Sequence, residues 1–383
     1  MTTLDTPSSP EANTFNEPRA GESRTVGGVE RFVLAPLPLP VFPRSLTLGP
    51  QPSIVAQNDT VMDLGNSNDG VAFSIQVQLF INAVLLSISA GGFSFMAYVL
   101  SHRPDTTGGF WHHYYRLLVE PDPGHSLPAS VILLVSLIII NAICFSVFVK
   151  SVRAGRREHP LRFHRQRREV CYFPTGSDTP VIVPWESVQA WIESGVMTTG
   201  SALMRSIDFC LAIPDPDSER VWLYRIPMGV MSQALLFWES IRRYMDESSE
   251  SWAGVGGEPE SVSTFAASRR ALLDDFAKQP QKRWFALSLA DFSVSYLNVF
   301  LYYLFHIVTC WNLPFWVAQW YQKSVHGRPM PEQIEAWSAP LSPELWAQAS
   351  EALRWQNAAI EAHYQRGGNL TDFLASQQAK GGG

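Results

Sequence analysis

Four of the nine histidines, His102, His112, His113 and His125, fall within twenty-four residues, with Asp105, Glu120 and Asp122 among them. Imidazole and carboxylate in that mixture could hold zinc or copper, or respond to a falling pH. Adjacent His112 and His113 cannot easily point at one ion, however. Trp111, Tyr114 and Tyr115 beside them suit the aromatic belt of a membrane–water boundary. The segment is read as an interfacial loop. The alternatives are a recognition surface for a protein partner (His102, Trp111, His112, His113, Tyr114, His125) and a metal or pH sensor. His159 and His164, within a basic run, read as part of a solvated face. Other chemistry is absent from the pattern: there is no P-loop, no HExxH and no GxSxG. Gly254, Gly256 and Gly257 lack the third glycine of a dinucleotide fingerprint and a preceding strand. Asp215, Asp217 and Glu219 sit where a hairpin loop would place solvated acids. The cysteines, Cys144, Cys171, Cys210 and Cys310, form no CxxC pair, so neither a disulfide scaffold nor a zinc knuckle is indicated. No enzyme, resident metal or cofactor is expected.

The elements that would carry these residues are mostly apolar. Of 383 residues, 46% are hydrophobic and 17% charged, against roughly 25% charged in soluble domains. That deficit points to a membrane. A net charge of −6 with a pI near 5.9 argues against a nucleic-acid partner. Residues 71–100 and 126–149 contain no Asp, Glu, Lys or Arg, and about 20 apolar residues cross a hydrocarbon core. Two spans, about 73–100 and 127–149, with a short outer loop 101–125, are therefore expected as a transmembrane hairpin within 71–149. In the first span Ser87 and Gly91, then Ala90 and Ser94, recur four apart, which lets helices approach closely in lipid. This face is read as packing the two spans together, with homodimerisation as the alternative. Asn141, mid-span, is expected to hydrogen-bond the neighbouring helix, a transport role being the alternative.

Lys150, Arg153, Arg156, Arg157, Arg162, Arg165, Arg167 and Arg168 place eight basic residues in nineteen positions, 150–168. Basic residues beside a span stay cytoplasmic, so both termini are assigned to the cytoplasm, and this juxtamembrane run to anionic lipid headgroups. A third apolar run, 299–320, carries His306, Pro314 and dense aromatics. It is read as a membrane-surface or buried segment, with a span as the alternative.

Residues 1–70 include nine prolines, four of them within 32–43. They are expected to be a mostly disordered, Pro-rich head. Residues 169–247 look like a compact domain: strands at 169–173, 180–183, 205–213 and 221–226, the third alternating Ile207, Phe209, Leu211, Ile213, then an amphipathic helix at 230–245. A linker at 248–263 follows. Residues 264–383 supply the aromatic membrane-surface segment and, after Ser342-Pro343, a helix at 344–365. The fold class is thus a membrane protein of α+β type with a two-helix hairpin, a cytoplasmic antiparallel-β domain closed by an amphipathic helix, and a helical C-terminal region.

Short antiparallel strands closed by one helix, together with the step Val183-Pro184-Trp185-Glu186-Ser187-Val188, resemble the pleckstrin-homology-like domains of bacterial membrane proteins. Pro184, Trp185 and Glu186 are the domain signature on this reading. The arrangement over roughly 70–335 resembles an uncharacterised family of two-span proteobacterial inner-membrane proteins found beside type VI secretion and polymorphic-toxin loci. That resemblance implies a non-enzymatic, inner-membrane interaction protein with an accessory or toxin-immunity role. The expected partners are membrane lipids, a toxin or secretion component, and a second copy in a homo-oligomer. The competing reading is a transporter or channel subunit using Asn141 and Asp291.

Overall fold

The computed structural model describes residues 19–65, 70–120, 128–156, 158–174, 177, 179–199, 202–257, 260–278, 295–326 and 330–381. His125, Arg157, Asp122, Asp291 and the turn residues Thr175, Gly176 and Asp178 lie outside them. In chain order the elements are β1 (Ser23–Val26), β2 (Val29–Ala35), β3 (Ile54–Gln57), β4 (Val61–Leu64), α1 (Val71–Ser101), α2 (Phe110–Val119) and α3 (Ala129–Gly155). Then come β5 (Leu161–His164), β6 (Glu169–Tyr172), β7 (Val181–Pro184), β8 (Gln189–Thr199), β9 (Ala202–Pro214), β10 (Val221–Met228) and α4 (Met231–Asp246). The chain continues through α5 (Val262–Lys278), α6 (Tyr296–Val308), α7 (Leu313–His326), α8 (Glu332–Trp337), α9 (Glu351–Gln365) and α10 (Leu370–Gly381). The protein is α+β, and α1 and α3 are long and apolar enough to cross a membrane.

The chain divides into two units, each assembled from separated stretches. The β unit takes residues 1–64, 160–257 and 331–383. It holds two antiparallel five-stranded sheets, ordered β1-β2-β8-β9-β10 and β3-β4-β5-β6-β7. Both sheets and α4 contribute to one apolar core. Trp185, from the short 3₁₀ turn after β7, lies between Phe163 of β5 and Trp238 of α4, with ring centroids 5.7 Å from each. Phe209 of β9 meets Phe237 edge-on. The alternation in β9 is present, but Cys210 and Ala212 on its other face are also buried, so this strand is covered on both sides.

Of the head expected to be disordered at 1–70, the described residues 19–65 carry β1 to β4 instead, with β2 paired to β8 and β4 to β5, while 1–18 and 66–69 lie outside the described residues. Prolines bar residues 36–43 from helix and ladder, yet several of their carbonyls find partners. Trp238 Nε1 donates to Leu39 O at 2.8 Å, Arg243 to Pro43 O and Leu46 O, Tyr364 Oη to Pro40 O, and Gln356 Nε2 to Leu37 O. The Pro-rich stretch is therefore ordered by side chains of α4 and α9, which composition alone cannot reveal. The expected domain 169–247 gains β4 and β5 at its start and β8 within it. The expected C-terminal region 264–383 divides between the units at 330, and its expected helix 344–365 begins only at Glu351, after a 3₁₀ turn at Pro343–Leu345.

Burial of α4 is unusual because its polar face is covered too. Glu239, Arg242 and Arg243 are all essentially inaccessible. Glu239 accepts from Arg242 at 2.5 Å, from Arg243 Nε at 2.8 Å and from the Val41 N–H at 3.0 Å. Arg242 also donates to Glu247 at 2.6 Å. Charges taken out of water persist only when paired and hydrogen-bonded in this way.

Candidate functional site

The helical unit comprises residues 65–159 and 258–330. Within it α1 and α3 meet through amides rather than small residues. Asn82 Nδ2 donates to Asn141 Oδ1 at 2.9 Å, Asn141 Nδ2 returns to Asn82 Oδ1 at 3.3 Å, and Cys144 Sγ lies 3.4 Å from Gln78 Oε1. Asn141 thus bonds its neighbouring helix. The face of Ser87, Ala90 and Gly91 does not pack the spans together: all three are exposed, and a Cβ on Gly91 would meet nothing within 4 Å. The Ser87 and Ser94 hydroxyls bond back to their own helix, to Ala83 O and Ala90 O. Close approach occurs instead at Gly155, where a Cβ would sit 2.8 Å from Val325 of α7. In lipid, paired side-chain amides contribute about 0.6 kcal/mol on average and up to about 1.7. Asn82→Leu and Asn141→Leu should each destabilise the helical unit, and the double variant should recover part of the loss. A double-mutant cycle in detergent unfolding would check it, and strict additivity would contradict the pairing.

The third apolar run is not one helix. The α6 and α7 axes differ by 63° across Thr309–Asn312, where Cys310 and Trp311 both take positive φ (62° and 53°). Two successive non-glycine residues in the left-handed region close α6 and turn the chain sharply. Four N–H groups at the turn are paired: Thr309 to Phe305 O, Cys310 to Ile307 O, Trp311 to His306 O and Leu313 to Cys310 O. Phe305 of α6 rests on Phe80 of α1 with centroids 5.5 Å apart, and Phe148 of α3 rests on Tyr321 of α7 at 5.6 Å. Tyr321 Oη also shares a hydrogen bond with Ser151 Oγ at 3.0 Å.

Beside this pair, α5 begins at a polar knot. Glu260 accepts from the Gly70 and Ala72 N–H groups, both at 3.0 Å, and so caps α1, whose first amides lack intrahelical partners. Ser261 and Thr264 exchange hydrogen bonds at the first turn of α5. Glu260, Thr264, Ser268, Tyr302 and His306 line an open cavity of about 380 Å³ with Phe265 and Phe315 as its aromatic walls. The Phe265 ring stacks on His306 at 4.9 Å and on Phe315 at 4.4 Å. In the sequence His306 stands out only as a histidine in an apolar run and Glu260 does not stand out at all, because a lone acid before an amphipathic helix carries no local signal of which helix it caps.

The seven described members of the basic run divide between two settings. Lys150, Arg153 and Arg156 are exposed at the end of α3. The other described members belong to the β unit and are engaged by its own residues. Arg162 makes two bonds to Asp63, at 2.6 and 2.7 Å, and a third to Ser338. Arg165 lies between the Trp252 and Trp346 rings and donates to Glu247 O. Arg167 donates to Trp337 O. Arg168 reaches Glu186 at 3.2 Å and Asp246 at 2.8 Å. Glu186 also accepts from the Ser350 N–H at 3.0 Å, just ahead of α9. Burial opposes ionisation of Glu186, but the Ser350 and Arg168 contacts prevail and hold its carboxyl below the ordinary range. The three signature residues thus divide their work. Pro184 ends β7, Trp185 fills the core and Glu186 ties the strand region to α9.

His164 is not part of a solvated face either. Its ring is fully buried against Trp337, and Nδ1 accepts from the Arg167 N–H. Burial, helped by the charge of Arg167, pushes its pKa down to about 4. The unfolded chain binds this proton near pH 6.5, so between about 6.5 and 4 it holds more protons than the fold. Stability must therefore fall as pH falls through that window, by up to about 2–3 kcal/mol from this residue. Urea midpoints from pH 7 to 4 should decline, and His164→Gln should flatten the decline. An unchanged slope would remove His164 from the acid response.

Between α1 and α3, His113 is buried on α2, whereas Trp111 and Tyr115 are exposed. His102 bonds the carbonyl of Tyr98 one turn earlier and lies against its ring. Trp111 meets Tyr114 edge-on, and His112 meets His113 edge-on. Among the described residues no three His, Cys, Asp or Glu side chains converge as metal ligands would. Comparison with family models, curated proteins and solved structures finds no match for this chain.

Proposed function

We propose that the protein is a non-enzymatic interaction protein anchored by two spans in the bacterial inner membrane, with its β unit in the cytoplasm. The observation that carries this reading is the insertion of α1 and α3 between two strands that pair directly, β4 and β5, with Leu64 opposite Leu161. Six residues join Leu64 to α1, and five join α3 to Leu161. Fully stretched, each connection reaches about 20–25 Å, short of a hydrocarbon core of about 30 Å. The start of α1 and the end of α3 therefore belong on one face of the membrane, which supports a hairpin. Exposed Lys150, Arg153 and Arg156 at the end of α3 support a cytoplasmic assignment for that face.

A pleckstrin-homology-like fold for the β unit is supported by its order: the meander β4–β7, then the meander β8–β10, then the closing helix α4 over a shared core. With the signature at Pro184–Glu186, this keeps an accessory or immunity role beside a secreted toxin as the best functional context. The exposed Trp111 and Tyr115 of α2 would be the contact with the toxin. The test is purification from native membranes in mild detergent, with mass spectrometry of what co-purifies. A stoichiometric toxin or secretion component, lost on Trp111→Ala with Tyr115→Ala, supports the reading. Recovery of a homo-oligomer alone turns it toward a transporter or channel subunit, for which the amide cluster of Gln78, Asn82 and Asn141 is the specific observation. Solute flux unaffected by Asn141→Leu would then remove that second reading.

A further inference from the structure

The open cavity of the helical unit has no part in anchoring the protein. Thr264, Phe265 and Ser268 bring α5 to it, Glu260 the residues just before α5, Tyr302 and His306 α6, and Phe315 α7. At about 380 Å³ it falls near the lower end of small-molecule sites, which run from about 300 to 1,000 Å³. It has room for a small ligand.

What the cavity offers a ligand follows from which polar groups are already spent. Its amide donors are: Glu260 takes the Gly70 and Ala72 N–H groups, and Ser261 Oγ takes the Thr264 N–H. The Thr264 hydroxyl is occupied as well, donating to Ser261 O and accepting from the Ser261 N–H. None of the lining residues is a Lys or Arg, and Arg269, next after Ser268, stands over the Trp311 ring. An anion finds little here to hold it.

Acceptors remain. A carboxylate has about four lone-pair sites, and two N–H groups leave Glu260 about half of them. His306 Nδ1 lies 2.8 Å from Tyr302 O. A carbonyl only accepts, so Nδ1 carries the hydrogen, and Nε2 of the neutral ring is left as an acceptor. The Ser268 and Tyr302 hydroxyls make no hydrogen bond among the described residues, and either can accept too. A primary ammonium, with one positive charge and three donors, is the counterpart of this set. A quaternary ammonium instead needs an open aromatic face, and the Phe265 ring is already stacked on both His306 and Phe315.

We propose that the cavity binds a primary ammonium group carried on a small apolar body. Glu260 is its counter-ion, His306 Nε2 and the Ser268 and Tyr302 hydroxyls are its further acceptors, and Phe265 and Phe315 flank the apolar part. The group belongs either to a free amphipathic amine or to a lipid headgroup. The N-terminus of α1 offsets about half of the Glu260 charge, so the affinity is modest.

The probe is phenethylamine, titrated calorimetrically into the detergent-solubilised full-length protein, with protein-free micelles as blank. Saturable binding at one site is expected. 2-Phenylethanol, without the charge, and phenethyltrimethylammonium, without the N–H donors, should each bind about tenfold more weakly. Glu260→Gln should cost about tenfold and Tyr302→Phe about threefold in affinity. Because Glu260 also caps α1, Ser268→Trp is the variant that leaves the cap alone and fills the cavity, and it should abolish binding. Heat no greater than the blank, equal affinity for the alcohol or the quaternary amine, or unchanged binding to Ser268→Trp would overturn the proposal. Titration in phosphatidylcholine nanodiscs, with and without phosphatidylethanolamine at the same net charge, identifies the source. Competition by phosphatidylethanolamine assigns the site to a lipid headgroup, and an unchanged affinity assigns it to a free amine. The micelle titration does not depend on α1 and α3 crossing a membrane, so its failure would leave the anchoring reading intact.

Discussion

Glu239→Leu is expected to cost about 3–5 kcal/mol in the β unit, the range for removing one partner of a buried ion pair. The loss is large because two guanidinium groups, Arg242 and Arg243, depend on one carboxylate with no water at hand. Burial works to raise the Glu239 pKa, but Arg242 and Arg243 outweigh it and hold the group ionised below the ordinary carboxylate range. Its contribution is therefore fully present at neutral pH and is lost as pH falls from the 4.5 of a free glutamate through the lower folded value. Urea unfolding followed by tryptophan emission would show the midpoint shift. Glu250→Gln, on an exposed residue a few positions later, should stay within about 0.5 kcal/mol. The triple change Glu239→Leu, Arg242→Met, Arg243→Leu should be milder than the single one, since it removes both guanidinium groups with their shared carboxylate and leaves Glu247 to Arg44 at 3.4 Å. A triple variant as unstable as the single would show that the hydrogen bonds of Arg243 to Pro43 and Leu46, rather than the charge balance, hold the network.

Trp185→Ala should remove about 3–5 kcal/mol, the usual cost of truncating a fully buried tryptophan. The residue touches both sheets' shared core through Phe163 and bridges it to α4 through Trp238, so no single neighbour can move in to fill the space. Its indole Nε1 has no acceptor among the described residues. Trp185→Phe thus forfeits volume but no hydrogen bond, and should cost only a fraction of the alanine change. If the two variants were equally unstable, a polar contact of the indole would have to be found; if alanine were tolerated, Trp185 would not be the keystone of the core.

The elements that were legible in the sequence are those whose signals are local. Charge-free runs announce α1 and α3, period-2 alternation announces β9, and helical spacing announces α4. What escaped was set by distant partners. Arg162 reads as one more cation in a basic run, yet its place in β5 is decided by Asp63, on the far side of two apolar helices in the chain. The same separation hides β4. The Pro-rich stretch looks unable to order itself, and indeed does not: its carbonyls wait for Trp238, Arg243, Gln356 and Tyr364. Spacing in the first span pointed to Ser87–Ser94 as the packing face, but which face of an all-apolar helix is covered depends on its neighbours, and here the amides at 78, 82 and 141 decide it. Of the candidate site, His306 and the aromatics were visible as composition; the bend that groups them comes from two left-handed residues with no glycine to flag them.

The interleaving of β4, α1, α3 and β5 also imposes an order on synthesis. Strands β1 to β4 leave the ribosome first, but β4 needs β5 and β2 needs β8, both made after the apolar helices. At about 5–20 residues per second, the hundred or so residues from β4 to β5 take on the order of 5–20 s. Through that interval the early strands carry unpaired edges, a state prone to aggregation, which the dense prolines between β2 and β3 help to resist. Closure of the sheet then requires that α3 has delivered β5 to the face where β4 waits. If α1 and α3 span a membrane as proposed, a chain whose second helix failed to insert in the right sense could not form the β4–β5 ladder, and completion of the β unit would then double as a proofreading step on insertion.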